Sequence, residues 1–320
     1  MPDKHRILCT RRMPSNVEAR LARDYDATLN PEDRIHCADS LLAASEGQDG
    51  LFCAGGDPLT AGVIERLPES VRILATYSVG YEHIAVEAAK ARGIVVANTP
   101  DVLNDATADV AILCLLGAAR RGAEGDRMVR AGEWVGWHST MMLGVHVTGK
   151  RLGIFGMGRI GRAVARRARG FDMEIHYHNR SRLAPALEDD AVWHDTPESL
   201  LAASDFLSIN APSTPETRGF LDAGRIALLP DGAVVVNTAR GDLVDDDALI
   251  VALRSGKVAA AGLDVFAGEP NLDPRYRELD NTFLLPHLGS ASFETRDAMG
   301  YCCLDNLDAF FAGRPCPNAL

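Results

Sequence analysis

Short runs of apolar, β-branched residues alternate with longer stretches of helical periodicity along almost the whole chain. Strands that are apolar throughout are buried on both faces, and helices cover both faces of a parallel sheet in α/β proteins. The alternation therefore predicts an α/β fold built from doubly wound parallel sheets. The chain has 320 residues. At roughly 150 residues per domain, this length predicts about two domains.

The order of the runs predicts how the two domains share the chain. Four strands are predicted for the first sheet, at 6–10, 50–54, 72–76 and 94–98. Six are predicted for the second, at 151–155, 174–178, 205–210, 233–238, 258–264 and 282–285. An apolar helix at 106–120 links the sheets, and a last helix at 292–311 is expected to return to the first domain. We therefore predict a discontinuous domain of residues 1–103 plus 291–320, and a second domain of residues 104–290.

Composition excludes several classes of function. The 33 Lys and Arg against 44 Asp and Glu give a net charge of −11, which argues against a nucleic-acid partner. The most apolar run, 110–119, is too short to span a membrane, and the N-terminus does not resemble a signal peptide. The seven cysteines are scattered without metal-ligand spacing. We expect reduced thiols, no metal site and a cytoplasmic protein.

A glycine-rich segment carries the first functional signal. Gly156, Gly158 and Gly161, with Met157, Arg159 and Ile160 between them, leave a predicted strand and precede a helical pattern. Such glycines allow a tight turn and close backbone approach, and the helix N-terminus attracts a pyrophosphate. A plain glycine turn is the alternative. The context favours a dinucleotide-binding turn.

The end of the next strand bears on which dinucleotide is bound. Asn179, Arg180, Ser181 and Arg182 stand about 20 residues beyond the glycines, where NAD-binding proteins carry an acid for the ribose hydroxyls. An acid would repel a 2′-phosphate, whereas Arg180 can form a fork onto one and Ser181 can donate another hydrogen bond. The segment favours NADP(H), with NAD(H) possible. The alternative is that both arginines are solvated loop charges.

Three polar residues follow later strands at the sheet edge where ligands bind in α/β proteins. Arg240, Glu269 and His287 each have an ordinary structural explanation when taken singly. Together they supply a cation for a carboxylate or carbonyl oxygen, a group that exchanges protons near neutrality, and an acid that orients it. This set suits the proton transfer that accompanies hydride transfer.

Five sequence motifs, spread over essentially the full chain, resemble those of the D-isomer-specific 2-hydroxyacid dehydrogenase family. They are SVGYEHI, GMGRIG, NTARGDLVDDDAL, GLDVFAGEP and PHLGSAS. The resemblance implies an active site in an interdomain cleft, with Arg240 on the substrate's carboxylate and keto oxygen, Glu269 orienting His287, and His287 exchanging the proton. It also implies that backbone N–H groups at Val79 and Gly80 bind the carboxylate.

The resemblance implies further cofactor contacts. They are Thr107, Pro212, Thr217, Thr238, Asp264 and Gly289. Asp264 resembles the acid on the nicotinamide carboxamide, and Thr107 a residue lining the nicotinamide end. Pro212 and Thr217 resemble contacts near the adenosine. Side chains of these types also cap helices or shape turns, which is the alternative for each.

Within the family, the segment at 178–182 resembles the glyoxylate and hydroxypyruvate reductase branch, which prefers NADPH. Trp134 and Trp137 are spaced as in those reductases, where the second tryptophan reaches the partner subunit's active site. Trp137 is thus predicted either to line the substrate pocket or to pack a homodimer interface. The implied activity is reduction of a small 2-oxo acid to a D-2-hydroxy acid. An aryl pyruvate substrate stays open, as does a dinucleotide-sensing, corepressor-like protein without catalysis.

Overall fold

The computed structural model describes residues 4–320 of the chain. These residues form two compact units, one of residues up to Leu103 together with Ser290–Leu320, and one of Asn104–Gly289. Among residues 4–320, every helix is too short or too polar to cross a bilayer. All seven cysteines are free thiols.

The first unit contains a sheet of five parallel strands. The strands are β1 (Arg6–Cys9), β2 (Asp26–Thr28), β3 (Gly50–Cys53), β4 (Ile73–Thr76) and β5 (Val95–Ala97). Their order in the sheet is β2-β1-β3-β4-β5, the order of flavodoxin-like folds. The helices are α1 (Ser15–Asp24), α2 (Ala38–Ser45), α3 (Ala61–Ile64) and α4 (Val86–Ala91). The last helix of the chain, which we call α12 (Phe293–Phe311), belongs to this unit and packs on β4 and α1.

The second unit contains a sheet of seven parallel strands. The strands are β6 (Arg151–Phe155), β7 (Glu174–His178), β8 (Val192–Trp193), β9 (Phe206–Ile209), β10 (Ala233–Asn237), β11 (Val258–Leu263) and β12 (Thr282–Leu284). Their order is β12-β11-β10-β9-β6-β7-β8. This is the dinucleotide-binding arrangement with one added strand, and its order reverses between β6 and β9. Ligands bind at that reversal in open α/β sheets.

Seven helices accompany this sheet. They are α5 (Asn104–Ala119), α6 (Gly122–Arg130), α7 (Arg159–Ala168), α8 (Pro185–Glu188), α9 (Pro197–Ala202), α10 (Ala223–Leu228) and α11 (Asp246–Ser255). Helix α5 packs on β10, β11 and α7. A Cβ atom at Gly262 of β11 would lie 2.4 Å from the carbonyl oxygen of Cys114. Glycine therefore lets the backbones of α5 and β11 touch.

Burial on both faces explains why the strands read as continuous apolar runs. Along β10, Val234 and Val236 belong to one hydrophobic cluster, whereas Ala233 and Val235 belong to the cluster on the opposite face. Successive strand residues point to opposite faces, so a sheet covered on both sides needs apolar residues at every position. The predicted α/β class with doubly wound parallel sheets is confirmed.

Two strands were absent from the sequence prediction. β2 has three residues and β8 has two, and each lies at an edge of its sheet. A strand this short has no apolar period of its own and is defined by the neighbour with which it pairs.

Candidate active site

A histidine and a carboxylate form a direct pair beyond the ends of β11 and β12. Nδ1 of His287 lies 2.9 Å from Oε1 of Glu269. The two side chains are 51% and 35% exposed, so a ligand can reach them. Since a carboxylate accepts, the Glu269 contact keeps a proton on Nδ1 and leaves Nε2 to exchange a proton with a ligand.

Asp264, the first residue after β11, fixes the turn that carries His287. Its Oδ1 accepts from the Leu288 N–H at 2.6 Å, and its Oδ2 accepts from the Gly289 N–H at 2.8 Å. The His287 N–H donates to the Asp264 carbonyl at 2.9 Å. Burial raises the pKa of Asp264 above its ordinary value, and the two backbone donors oppose that rise. The carboxylate thus positions His287, and its predicted contact with a carboxamide stays a prediction.

Arg240 lies beyond the end of β10, the neighbour of β11. The buried Asn237 closes its turn, since Nδ2 donates to the Arg240 carbonyl at 2.8 Å and Oδ1 accepts from the Ala239 N–H at 3.0 Å. A Cβ atom at Gly241 would lie 1.9 Å from the Phe266 carbonyl carbon. The Arg240 turn therefore packs directly on the segment that leads to Glu269.

The glycine turn between β6 and α7 leaves room for a phosphate group. Gly156 has a φ of 95°, and a Cβ there would lie 2.5 Å from the Ala211 nitrogen. A Cβ at Gly161 would lie 2.4 Å from the Gly156 carbonyl oxygen, whereas one at Gly158 meets nothing within 4 Å. Gly156 and Gly161 are thus required by close packing, and Gly158 borders open space. Arg159 and Ile160 begin α7 directly beyond it.

Two buried oxygens near the reversal of strand order lack hydrogen-bond partners within the described part of the chain. They are Asn210 Oδ1, after β9, and Thr238 Oγ1, after β10. Buried polar atoms of this kind are normally satisfied, which indicates a ligand at this edge. A Cβ at Gly289 would lie 3.3 Å from Asp264 Oδ2 and 3.4 Å from Thr107 Oγ1, so three predicted contacts adjoin one another. These residues and the glycine turn fit a nicotinamide dinucleotide.

Other predicted cofactor residues have structural partners. Asn179 Oδ1 accepts from the Met157 N–H at 2.7 Å and so ties the end of β7 to the glycine turn. Thr217 Oγ1 donates to the Pro212 carbonyl at 2.7 Å, which closes the loop after β9. Their predicted contacts with the cofactor stay predictions. Arg180 and Ser181 are exposed.

The loop that contains Val79 and Gly80, which are predicted to bind the substrate carboxylate, lies in the first unit, after β4. The Val79 carbonyl accepts from Asn98 Nδ2 at 2.8 Å, and the Gly80 carbonyl accepts from Ser78 Oγ at 2.6 Å. Among residues 4–320, neither the Val79 N–H nor the Gly80 N–H donates a hydrogen bond. The two carbonyl groups of this loop are therefore hydrogen-bonded within the first unit, and its two adjacent N–H groups are left as donors. Two adjacent backbone donors suit the binding of an anion.

The tryptophan segment between α6 and β6 is strongly exposed. Trp134, Val135 and Trp137 are 58%, 91% and 79% exposed. Large apolar side chains that are adjacent and exposed mark an interaction surface. Both alternatives for Trp137, the substrate pocket and a dimer interface, stay open.

Comparison with known proteins decides the family. The model for the NAD-binding domain of D-isomer-specific 2-hydroxyacid dehydrogenases matches residues 112–289. This range includes the glycine turn, Arg240, Glu269 and His287. The chain belongs to the D-isomer-specific 2-hydroxyacid dehydrogenase family.

Relatives cover the full length of this dehydrogenase. Glycerate dehydrogenase from Hyphomicrobium methylovorum is 44% identical over 319 residues, covering 99% of each chain. Glyoxylate reductase from Thermococcus litoralis is 41% identical, covering 98% of this chain and 96% of the relative. The solved NADPH-dependent glyoxylate/hydroxypyruvate reductase from Sinorhizobium meliloti, in complex with NADP and malonate, has a TM-score of 0.89 at 35% identity, covering 99% and 97%.

Membership confirms several predictions made from the sequence. The chain is an oxidoreductase of the D-2-hydroxyacid dehydrogenase class that binds a nicotinamide dinucleotide and interconverts 2-hydroxy and 2-oxo acids. Sequence reasoning missed the residues that hold this dehydrogenase's site in place, namely Asn98, Ser78 and Asn237. Asn237 could have been found, because it is the one polar residue in the otherwise apolar strand AVVVN.

Proposed function

We propose that this dehydrogenase reduces a small 2-oxo acid, glyoxylate or hydroxypyruvate, with NADPH. The product is the corresponding 2-hydroxy acid, of D configuration where it is chiral. The His287–Glu269 pair beside the Arg240 turn carries the proposal. Relatives named glyoxylate reductase support the substrate class.

The proposed chemistry divides between three side chains. When bound, the nicotinamide supplies the hydride. Arg240 binds the substrate carboxylate and keto oxygen and offsets the negative charge that develops on that oxygen. Nε2 of protonated His287 donates a proton to the same oxygen. The Glu269 carboxylate accepts a hydrogen bond from the Nδ1–H group of His287, which keeps that proton on the ring, and it stabilises the imidazolium before the transfer. Val79 and Gly80 are proposed to bind the carboxylate through their backbone N–H groups.

The cofactor preference is proposed from residues 179–182, which follow β7 and which we call the ribose segment. Arg180 is exposed, and no acid stands between Asn179 and Arg182 to repel a 2′-phosphate. Arg180 and Ser181 are the proposed ligands of that phosphate. The solved NADP complex of the Sinorhizobium relative supports NADP as the cofactor.

Assembly and location are proposed on separate observations. The exposed segment of Trp134, Val135 and Trp137 supports a homodimer, in which Trp137 contacts the partner. The seven free thiols support a reducing cytoplasm.

A substrate panel tests the activity. Glyoxylate, hydroxypyruvate, pyruvate and phenylpyruvate are each assayed with NADPH and with NADH by absorbance at 340 nm. We expect the highest kcat/KM for the first two acids with NADPH. Turnover mainly of phenylpyruvate would instead favour an aryl pyruvate reductase, and cofactor binding without any turnover would favour a sensing protein.

Arg240→Ala tests the proposed role of the cation. We expect kcat/KM for the preferred acid to fall by about 100-fold or more, since one lost transition-state contact costs that much. The control is Arg254→Ala, which removes an arginine from an exposed pair with Glu278. Near wild-type kcat/KM in Arg240→Ala would contradict the assignment.

A further inference from the structure

Two arginines, Arg180 and Arg182, follow β7, and they differ in their hydrogen bonding. Arg182 donates from Nε to Oε1 of Glu188 at 2.8 Å and from Nη2 to Oε2 at 3.0 Å. Its guanidinium carbon also lies 5.7 Å from the centre of the Trp193 ring. Arg180 forms no hydrogen bond or ion pair within the described chain. The pKa of Glu216 is lowered mainly by a hydrogen bond with Thr214, and the Arg180 charge adds to this effect. The Nε–Nη2 edge of the Arg182 guanidinium is therefore occupied by Glu188, whereas the guanidinium of Arg180 is available.

The acceptor of Arg182 is a buried carboxylate. Glu188 is 7% exposed, and its Oε1 also accepts from the hydroxyl of Tyr177, which is fully buried in β7. The Arg182 guanidinium lowers the pKa of Glu188, and burial raises the pKa of Tyr177. The carboxylate is ionised and the phenol protonated near neutral pH, as these hydrogen bonds require. Withdrawing Arg182 would leave a buried charge without its cation, which is costly.

The same tyrosine anchors the far end of the ribose segment. The Leu183 N–H donates to the Tyr177 hydroxyl at 3.0 Å, and at the near end Asn179 binds the Met157 N–H. Residues between these anchors are held at both ends. All three polar side chains between the anchors are exposed. That of Arg182 is engaged by Glu188, whereas those of Arg180 and Ser181 have no hydrogen-bond partner in the described chain.

We propose that Tyr177, Glu188 and Arg182 form a positioning network that sets the preference for a 2′-phosphorylated dinucleotide. The network holds the segment so that Arg180 and Ser181 bind the phosphate, and Arg182 acts through them without touching it. This inference rests on the proposed NADPH preference. A preorganised ligand set binds more tightly because less conformational freedom is lost on binding.

Calorimetric titration with adenosine 2′,5′-bisphosphate and with 5′-AMP tests the network without catalysis. The ratio of the two affinities reports the 2′-phosphate contact, and the 5′-AMP affinity reports an intact fold. We expect Arg180→Ala to reduce the ratio by about 10- to 100-fold, as for loss of a charge-assisted fork. Glu188→Gln, Arg182→Ala and Tyr177→Phe should each reduce it several-fold. The control Arg254→Ala should leave it unchanged.

A double-mutant cycle separates positioning from direct contact. If Arg182 acts through Arg180, adding Arg182→Ala to Arg180→Ala should change the ratio little further. Additive losses, or an unchanged or higher ratio in Glu188→Gln, would overturn the network. If Glu188→Gln fails to fold, Tyr177→Phe and Arg182→Ala decide the question by the same ratio. An unchanged ratio in Arg180→Ala would instead overturn Arg180 as the phosphate ligand, and equal affinities of the wild-type protein for the two nucleotides would overturn the proposed NADPH preference itself.

Discussion

At the scale of single residues, one contact decides which proton His287 can exchange. Its Nδ1 faces the Glu269 carboxylate at 2.9 Å, so a ligand can use only Nε2. Asp264 fixes the turn that carries the ring, because its carboxylate accepts hydrogen bonds from the backbone N–H groups of Leu288 and Gly289. Glu269 therefore determines which ring nitrogen keeps its proton, and Asp264 determines where the ring lies.

Glu269→Gln should lower kcat with little change in KM for the 2-oxo acid. The amide keeps the size of the side chain but removes the negative charge that stabilises the imidazolium, and we expect a loss of about 10- to 100-fold, within the range for general acid catalysis. Steady-state kinetics at saturating NADPH measures it. Glu278→Gln, at an exposed position on the same unit, is the control. A variant with unchanged kcat would show that Glu269 does not assist proton transfer.

At the scale of elements, the edge of the second sheet carries two histidines in contact. Nδ1 of His176 in β7 lies 2.9 Å from Nε2 of His194, which follows β8. Burial lowers the pKa of both residues, and Glu174 partly opposes this for His176. The folded chain therefore holds the pair neutral more strongly than the unfolded chain does.

This pair should make the free energy of unfolding fall as the pH drops through about 6.5. Below that pH the unfolded state binds protons that the folded state resists, at up to about 1.4 kcal/mol per pH unit for each proton. Urea unfolding between pH 7.5 and 5.5 measures the slope. His194→Gln should flatten it, whereas His146→Gln, at an exposed position, should not. Equal slopes in both variants would exclude the pair as the source.

At the scale of the whole molecule, the exposed tryptophan segment predicts a second copy of the chain. Trp134, Val135 and Trp137 expose apolar surface that a monomer would leave in water. Light scattering should therefore give about twice the chain mass of 34.4 kDa. Replacing both Trp134 and Trp137 with Arg should yield a monomer. Leu187→Arg, at an exposed position outside the segment, is the control. A wild-type monomer would contradict the proposed homodimer.

Much of the architecture could be predicted because it depends on residues that are close together in the sequence. The ten predicted strands all lie in the two sheets, and the glycine turn follows β6 and opens α7. The positions of Arg240, Glu269 and His287 after successive strands could also be read along the chain. The edge strands β2 and β8 could not, since they depend on pairing with β1 and β7.

The sequence by itself determined the α/β class, the dinucleotide turn and the residue types of the proton relay, because strand alternation and turn chemistry depend on near neighbours. Only the tertiary structure decided which side chains meet. It gave the Asp264 carboxylate to the backbone N–H groups of Leu288 and Gly289. It also engaged Arg182 with a buried Glu188 and gave Arg180 no hydrogen bond or ion pair within the described chain. The sequence does not show which of the two arginines is paired. The difference arises because packing places the buried Glu188 carboxylate beside Arg182.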